Sequence, residues 1–336
     1  MLPAALHRFT DWAAVSAAVG AKLYADGWGD RRELDAMVAE MADGALGREQ
    51  PELSMVWTDR VPSRLGPTVS RGWFTSPRAD DLPARSERGV VELMTPPGDD
   101  RPPLCILLAA TGEEGFWFRR VFARKLVEEG LATLLLENPF YGARRPKGQR
   151  GPLVRTVRDQ FAMNIATTQE ARALLAWARR EGYPRVGISG YSQGGIMAAF
   201  AAALSPAPVA VVPRGAGNSA RPIFTHAALS RRISWPVLAR ELGSLSAAKD
   251  YFEACLAPVE VARYPAPVAP EAAILVSARN DGFVPPPEAE ALHQHWPGSE
   301  IRWLSTSHIL GAAHMRPHQR AILDAFRALD QQVTHA

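Results

Sequence analysis

From residue 103 onward the chain alternates short, wholly apolar runs with longer segments of helical periodicity, a pattern that few folds accept. A strand buried on both faces reads as a continuous apolar run. The pattern therefore predicts an α/β fold: a mostly parallel central sheet with helices on both faces. The runs are Leu104 to Ala110, Ala132 to Leu136, Arg185 to Ser189, Pro208 to Val212, Ala272 to Ser277 and Ile301 to Leu304. Helices are predicted over 117–129, 154–181, 193–204, 286–296 and 316–329. Residues 214–268, between the fourth and fifth runs, are too long for a simple connection and hold helical pieces of their own around 224–257. They read as an inserted lid.

Ahead of this core, residues 1–50 read as a helical extension, with apolar groups at helical spacing in Trp12, Val15, Ala18, Val19 and Leu23, then Leu34, Met37, Val38 and Met41. Between about 52 and 96 the texture changes to short β-like pieces separated by Pro and Gly, such as Met55 to Trp57 and Gly89 to Leu93, which suit an antiparallel edge. A length of 336 residues with 47% apolar content fits one domain over 1–336 with an insertion.

Charge and cysteine content exclude several classes. The 38 Lys+Arg against 35 Asp+Glu leave a net charge of +3 without a dense basic tract, which argues against a nucleic-acid partner. The two cysteines, Cys105 and Cys255, cannot build a disulfide framework, and Cys105 sits in an apolar run as a small hydrophobe would. Asp11, Lys22 and Asp26 interrupt the N-terminal segment, so no signal peptide is expected. No apolar run approaches the roughly 18 residues needed to span a bilayer. The expectation is a cytoplasmic protein, with peripheral membrane contact left open.

The chemistry centres on Gly190-Tyr191-Ser192-Gln193-Gly194, which follows the third apolar run and opens the small-residue helix Gly195-Ile196-Met197-Ala198-Ala199. A serine nucleophile needs this strand, tight turn and helix, because the turn projects its hydroxyl and flanking glycines let strand and helix approach closely. The helix N-terminus also favours negative charge. A bland reading is a small-residue turn in a doubly wound sheet. The context then calls for an acid after a later strand and a histidine after the last one. Asp281, in Asn280-Asp281-Gly282, follows the fifth run; the bland reading there is a simple turn. Asp324 is a weaker rival because it follows every candidate histidine. His308 follows the sixth run, with His314 as its competitor. His314 and His318 form an i, i+4 pair that could suggest a metal, but without an adjacent glutamate they read as a solvated helix face. His293 and His295 read as surface residues. An oxyanion hole would combine the amide of Gln193 with one from Thr111-Gly112-Glu113, either Glu113 or Thr111.

Over nearly its whole length the chain resembles the α/β-hydrolase domain-containing protein 18 family. The resemblance rests on Gly27-Trp28-Gly29, Thr111-Gly112-Glu113, Glu137-Asn138-Pro139-Phe140-Tyr141-Gly142 with Arg144-Arg145-Pro146-Lys147, and Leu229-Ser230 with Ile233-Ser234-Trp235. Trp296-Pro297-Gly298, Glu300-Ile301-Arg302, His308-Ile309 and Asp324-Ala325-Phe326 extend it toward the C-terminus, and the Glu137 to Lys147 stretch is the most specific. The resemblance implies an α/β-hydrolase fold with Asp281 and His308 as triad members beside Ser192. A Gly-Gly pair ordinarily precedes that histidine in the family; this chain has Thr306-Ser307.

Together these readings predict a serine hydrolase of carboxylic esters that needs neither metal nor organic cofactor. The rivals are acyl transfer to an alcohol or amide cleavage on the same fold, and a binding module without catalysis. For the substrate, the loops after the first two core strands should border the pocket, and they carry Arg119, Arg120, Arg144, Arg145, Lys147 and Arg150. Ile223, Phe224, Leu229, Ile233, Trp235 and Leu238 of the insertion could shelter a hydrocarbon chain. The expectation is an anionic lipid ester such as a phospholipid, gripped by Arg144 and Arg145; the bland reading has these arginines solvated or ion-paired.

Overall fold

The computed structural model describes residues 10–11, 22–61, 66–98 and 101–335. Trp12, Val15, Ala18 and Val19 of the expected N-terminal helix lie outside the described residues. Its later half forms α1 (Arg31–Ala42), which Asp30 caps by accepting the amides of Arg32 and Glu33 at 2.9 and 3.2 Å, while Leu34, Met37 and Met41 face inward.

Nine strands form one sheet in the order β1-β2-β3-β5-β4-β6-β7-β8-β9. β1 (Val56–Val61), β2 (Thr68–Thr75) and β3 (Arg88–Thr95) make an antiparallel edge, and β3 joins β5 (Ala132–Leu136), again antiparallel. β5, β4 (Leu104–Leu108), β6 (Val186–Tyr191), β7 (Ala210–Arg214), β8 (Ile274–Ala278) and β9 (Glu300–Leu304) run parallel. Every residue of β4, β5, β7 and β8 is buried, which is why the sequence shows these strands as uninterrupted apolar runs.

The covering helices are α2 (Trp117–Glu128), α3 (Val157–Arg180), α4 (Gln193–Ala203), α8 (Pro286–His295) and α10 (Met315–His335). The helix expected from 154 begins at 157, because Thr156 caps it by accepting the Asp159 amide at 3.1 Å. Between β7 and β8 lie α5 (Arg221–Thr225), α6 (Trp235–Leu242) and α7 (Leu245–Leu256). This segment packs on the start of the described chain. The Trp28 indole donates to the Leu238 carbonyl at 3.1 Å, and the Tyr24 and Trp28 rings stand 5.8 and 6.1 Å from that of Phe252. Gly27 has φ +90°, and a Cβ there would stand 2.0 Å from Glu241 Oε1, so the Gly27-Trp28-Gly29 motif serves this docking.

One short helix was not foreseen: α9 (His308–Ala313), capped by Ser307, whose hydroxyl also bonds that of Thr10 at 2.9 Å. Where the family ordinarily carries Gly-Gly, this chain bends the loop with a helix cap. No described helix is long and apolar enough to cross a membrane.

Candidate active site

The strand order reverses at β4, since β5 lies on one side of it and β6 on the other. In open α/β sheets the crevice at such a switch point binds ligands, and the loops after β4 and β6 both open there. Ser192 occupies the turn between β6 and α4 with φ +55° and ψ −118°, a conformation that costs a non-glycine residue on the order of 1–3 kcal/mol. Its neighbours make the turn possible. A Cβ on Gly190 would lie 2.3 Å from the Gly194 backbone, and one on Gly194 would lie 2.7 Å from the Ala109 carbonyl. The Ser192 amide is tied to the Arg214 carbonyl at 2.8 Å.

The hydroxyl so presented lies 3.0 Å from His308 Nε2, and His308 Nδ1 lies 2.7 Å from Asp281 Oδ2. The other oxygen of Asp281 accepts the amides of Phe283 and Val284 at 2.8 and 2.7 Å. Asp281 and His308 are buried, the Phe283 ring stacks on the imidazole at 4.9 Å, and Tyr191 donates its hydroxyl to the His308 carbonyl. Three residues chosen from separate loops thus form one continuous chain of hydrogen bonds.

Asp11 gave no functional signal in the sequence, yet its buried carboxylate accepts the amides of Gly282, His308 and Ile309 at 2.8, 2.9 and 2.9 Å. It couples the Asp281 loop to the first turn of α9. In the sequence it stood out only as a charge interrupting the N-terminal segment.

His314 is exposed and its amide bonds the Gly311 carbonyl. The solvated-face reading fails for His318, which is buried, bonds the Gly311 carbonyl at 3.0 Å, and has its pKa pushed down to about 3, mainly by burial. His293 and His295 are half-buried, bonded to Ser299 and to the Tyr264 carbonyl, because α8 packs them against neighbouring loops. Asp324 pairs with Arg302 and Arg327 at 2.7 and 2.6 Å and is no part of the site. Among the described residues no cluster of three or more His, Cys, Asp and Glu side chains could hold a metal ion.

The oxyanion expectation needs one correction. The Glu113 amide donates to the Ala110 carbonyl at 3.1 Å, so it is already engaged, and its carboxylate holds the Ala110 amide and Arg119. Thr111 does meet Gln193, through a hydroxyl to Oε1 bond of 3.0 Å, and Gln193 Nε2 continues to Asn164 at 2.7 Å. As the first residue of α4, Gln193 has an amide with no acceptor inside the helix.

The arginines are corrected too. Arg144 is fully buried, with both terminal nitrogens on Glu170 at 2.8 and 2.6 Å and further bonds to the carbonyls of Ser86 and Glu137. It cannot reach a substrate. Arg145 is held by Glu114, and Arg120 by the buried Glu92. The Glu137 to Lys147 stretch is scaffolding: Glu137 accepts the amides of Gly115 and Ala143 at 2.7 and 3.0 Å, and a Cβ on Gly142 would stand 1.8 Å from that carboxylate.

A mostly parallel sheet with a serine at the strain point between its central strand and the next helix defines an α/β hydrolase. The chain belongs to the alpha/beta hydrolase domain containing 18 family, whose profile matches residues 21–251 and 245–328. Among solved structures it is similar to an acetyl xylan esterase from Paenibacillus sp. R4, at 14% identity and TM-score 0.58 over 88% of this chain and 97% of that one. It is similar to acetyl xylan esterase 1 from Thermoanaerobacterium sp. JW/SL YS485, at 15% and 0.56 over 91% and 96%. It also resembles a 2,6-dihydroxy-pseudo-oxynicotine hydrolase, at 15% and 0.52 over 90% and 76%. At these identities the likeness is one of fold.

Proposed function

We propose that the protein is a serine hydrolase that cleaves carboxylic esters with Ser192, His308 and Asp281 as its catalytic triad. The observation that carries this reading is the unbroken sequence of contacts from Asp281 Oδ2 through the imidazole to Ser192 Oγ, at 2.7 and 3.0 Å. His308 Nε2 takes the hydroxyl proton as Oγ adds to the ester carbonyl, and Asp281 holds the imidazolium that forms. The amides of Gln193 and Thr111 receive the oxyanion, a contribution of roughly 2.7–4 kcal/mol for a single donor in a dry site. Collapse expels the alcohol, which takes the proton from His308. Water, deprotonated by the same imidazole, then releases the acid and restores Ser192.

A narrow apolar crevice, with room for about one water as it stands, would have to widen to take an acyl chain as the group bound. It is lined by Tyr24, Phe161, Met197, Phe224 and Leu256. Asn164, on its wall, is the partner of the Gln193 side chain, so the crevice starts beside the nucleophile's neighbour. The insertion between β7 and β8 supplies Phe224 and Leu256 and would act as the lid over this chain. The test is a comparison of the purified protein with Ser192→Ala across ester, thioester, amide and phospholipid substrates, with fluorophosphonate labelling. Serine-dependent ester turnover is expected; turnover of amides alone, or labelling that survives in Ser192→Ala, would overturn the reading.

A further inference from the structure

The described arginines buried near the sheet's C-terminal edge have carboxylate partners, with one exception. Arg144 is matched by Glu170 and Arg119 by Glu113. Arg214, at the end of β7, is 5% exposed and makes no ion pair among the described residues. Its Nε donates to Ser189 Oγ at 2.9 Å, and that hydroxyl in turn donates to the Val212 carbonyl at 2.7 Å. Among the described residues the two terminal nitrogens of Arg214 have no hydrogen-bond partner. Its guanidinium lies over the Phe122 ring at 4.3 Å, with Tyr191 at 6.0 Å. Burial lowers its pKa to about 10, so it stays charged at neutral pH.

A cation removed from water without a counter-charge is costly, and such groups are ordinarily paired. Here the missing partner has a place to sit. Arg214 lines a pocket of about 240 Å3 together with Thr111, Gly112, Glu113, Phe118 and Tyr191. The Glu113 carboxylate, in the same lining, attracts Arg214 but forms no ion pair with it, because that group bonds the Ala110 amide and Arg119 Nε, whose charge it balances. Arg119, also on the wall, spends its other nitrogens on the carbonyls of Leu107, Leu136 and Gly115. His318, which faces Arg214, is held neutral. One uncompensated positive charge therefore remains, beside the loop that carries Thr111.

We propose that Arg214 forms an anion site in this pocket, whose lining includes Thr111 and Tyr191, the residue before Ser192, and that the site takes a carboxylate or phosphate group through the free edge of the guanidinium. The planar fork suits either group in a two-point contact, and the low-dielectric surroundings strengthen it. The anion is either a free ion or the acid group of an ester bound at Ser192; the second form rests on the esterase reading above.

The first measurement is independent of activity. Titration calorimetry with inorganic phosphate, at ionic strength held constant with sodium chloride, is made on the full-length protein, on Arg214→Gln, and on Arg320→Gln, which removes an equal charge from an exposed helical position. Phosphate should bind the protein and Arg320→Gln alike and bind Arg214→Gln at least about tenfold more weakly. No phosphate binding by the unaltered protein, or equal binding by Arg214→Gln, would overturn the proposal. Should Arg214→Gln fail to fold, Arg214→Lys keeps the charge without the fork and should still weaken binding; an unchanged affinity overturns the proposal there too. The second measurement assigns the anion's source through kcat/KM for 4-nitrophenyl succinate, a free acid, and its neutral methyl ester. A fall of about tenfold in the acid-to-neutral ratio on Arg214→Gln places the substrate's acid group in the site, whereas an unchanged ratio with phosphate binding lost assigns it to a free anion. Absence of turnover on both esters leaves the esterase reading to the wider substrate panel above, and the calorimetric result alone decides the site.

Discussion

The carboxylate of Asp11 accepts the backbone amide of His308 at 2.9 Å across 297 positions of sequence, and with the same oxygen it accepts the Gly282 amide at 2.8 Å. Asp11 thereby sets the distance between the acid loop and the helix that begins with His308. Asp11→Ala should lower kcat by about tenfold to a hundredfold with little change in KM, since a displacement of about 1 Å in a catalytic group has that scale of effect. It should also lower stability by about 1 kcal/mol as a lost helix cap. Steady-state kinetics and urea unfolding on the same preparation check both; a loss of stability with kcat intact would make Asp11 a cap and nothing more.

Ser192→Ala should reduce ester hydrolysis by roughly three orders of magnitude or more while circular dichroism and melting temperature stay close to those of the unaltered protein. The strained φ of +55° at Ser192 persists in the alanine variant, so no large gain in stability is expected. Near-normal turnover by the folded variant would remove Ser192 from the mechanism.

His308→Ala should silence the enzyme, and His314→Ala should spare it. Only the first histidine reaches both Ser192 and Asp281. Rates of the two variants on one soluble ester decide the matter, and the reverse outcome would mean a rearranged site in solution.

Arg144→Ala should act on stability and not on substrate preference. Its partner Glu170 is also fully buried, and breaking a buried pair leaves an uncompensated charge that costs about 3–5 kcal/mol, against at most about 1 kcal/mol for an exposed pair. Denaturant unfolding should show that loss, while the ratio of rates on anionic and neutral esters stays level for whatever protein remains folded. A shift in that ratio with stability unchanged would contradict the buried placement.

His318 gives the stability a pH dependence. Its folded pKa of about 3 lies below the unfolded value of about 6.5, so between those values the unfolded chain binds a proton that the native protein excludes. Stability is fully present above about pH 6.5 and is lost as pH falls, by up to about 1.4 kcal/mol per pH unit from this group. Unfolding midpoints from pH 7 to pH 4 should fall less steeply in His318→Gln; parallel slopes would show that other groups govern acid unfolding.

Much of the fold was legible in the chain itself. Five of the six parallel strands, β4 to β8, appear as apolar runs because they are buried on both faces, whereas β9 at the sheet edge is only partly covered; the place of Ser192 follows from covalent neighbours, since Gly190 and Gly194 must lie in the turn for strand and helix to meet. The order Ser192, Asp281, His308 could be read for the same reason: each stands just past a strand end. The short helix at His308 was missed because its cap, Ser307, has few turns after it and its first amides are held by Asp11, which no local pattern connects to it.

Local periodicity and chain order therefore determined the strands, the covering helices and the nucleophile turn. The tertiary structure alone decided which charges are spent. Arg144 and Arg145 are adjacent and look alike in sequence, yet one is sealed against Glu170 and the other half-exposed on Glu114. His314 and His318 are four residues apart, and one is exposed while the other is buried and neutral. The energy of a charge depends on its distance to other charges and its depth below water, and both are set by segments that meet only when the sheet is assembled.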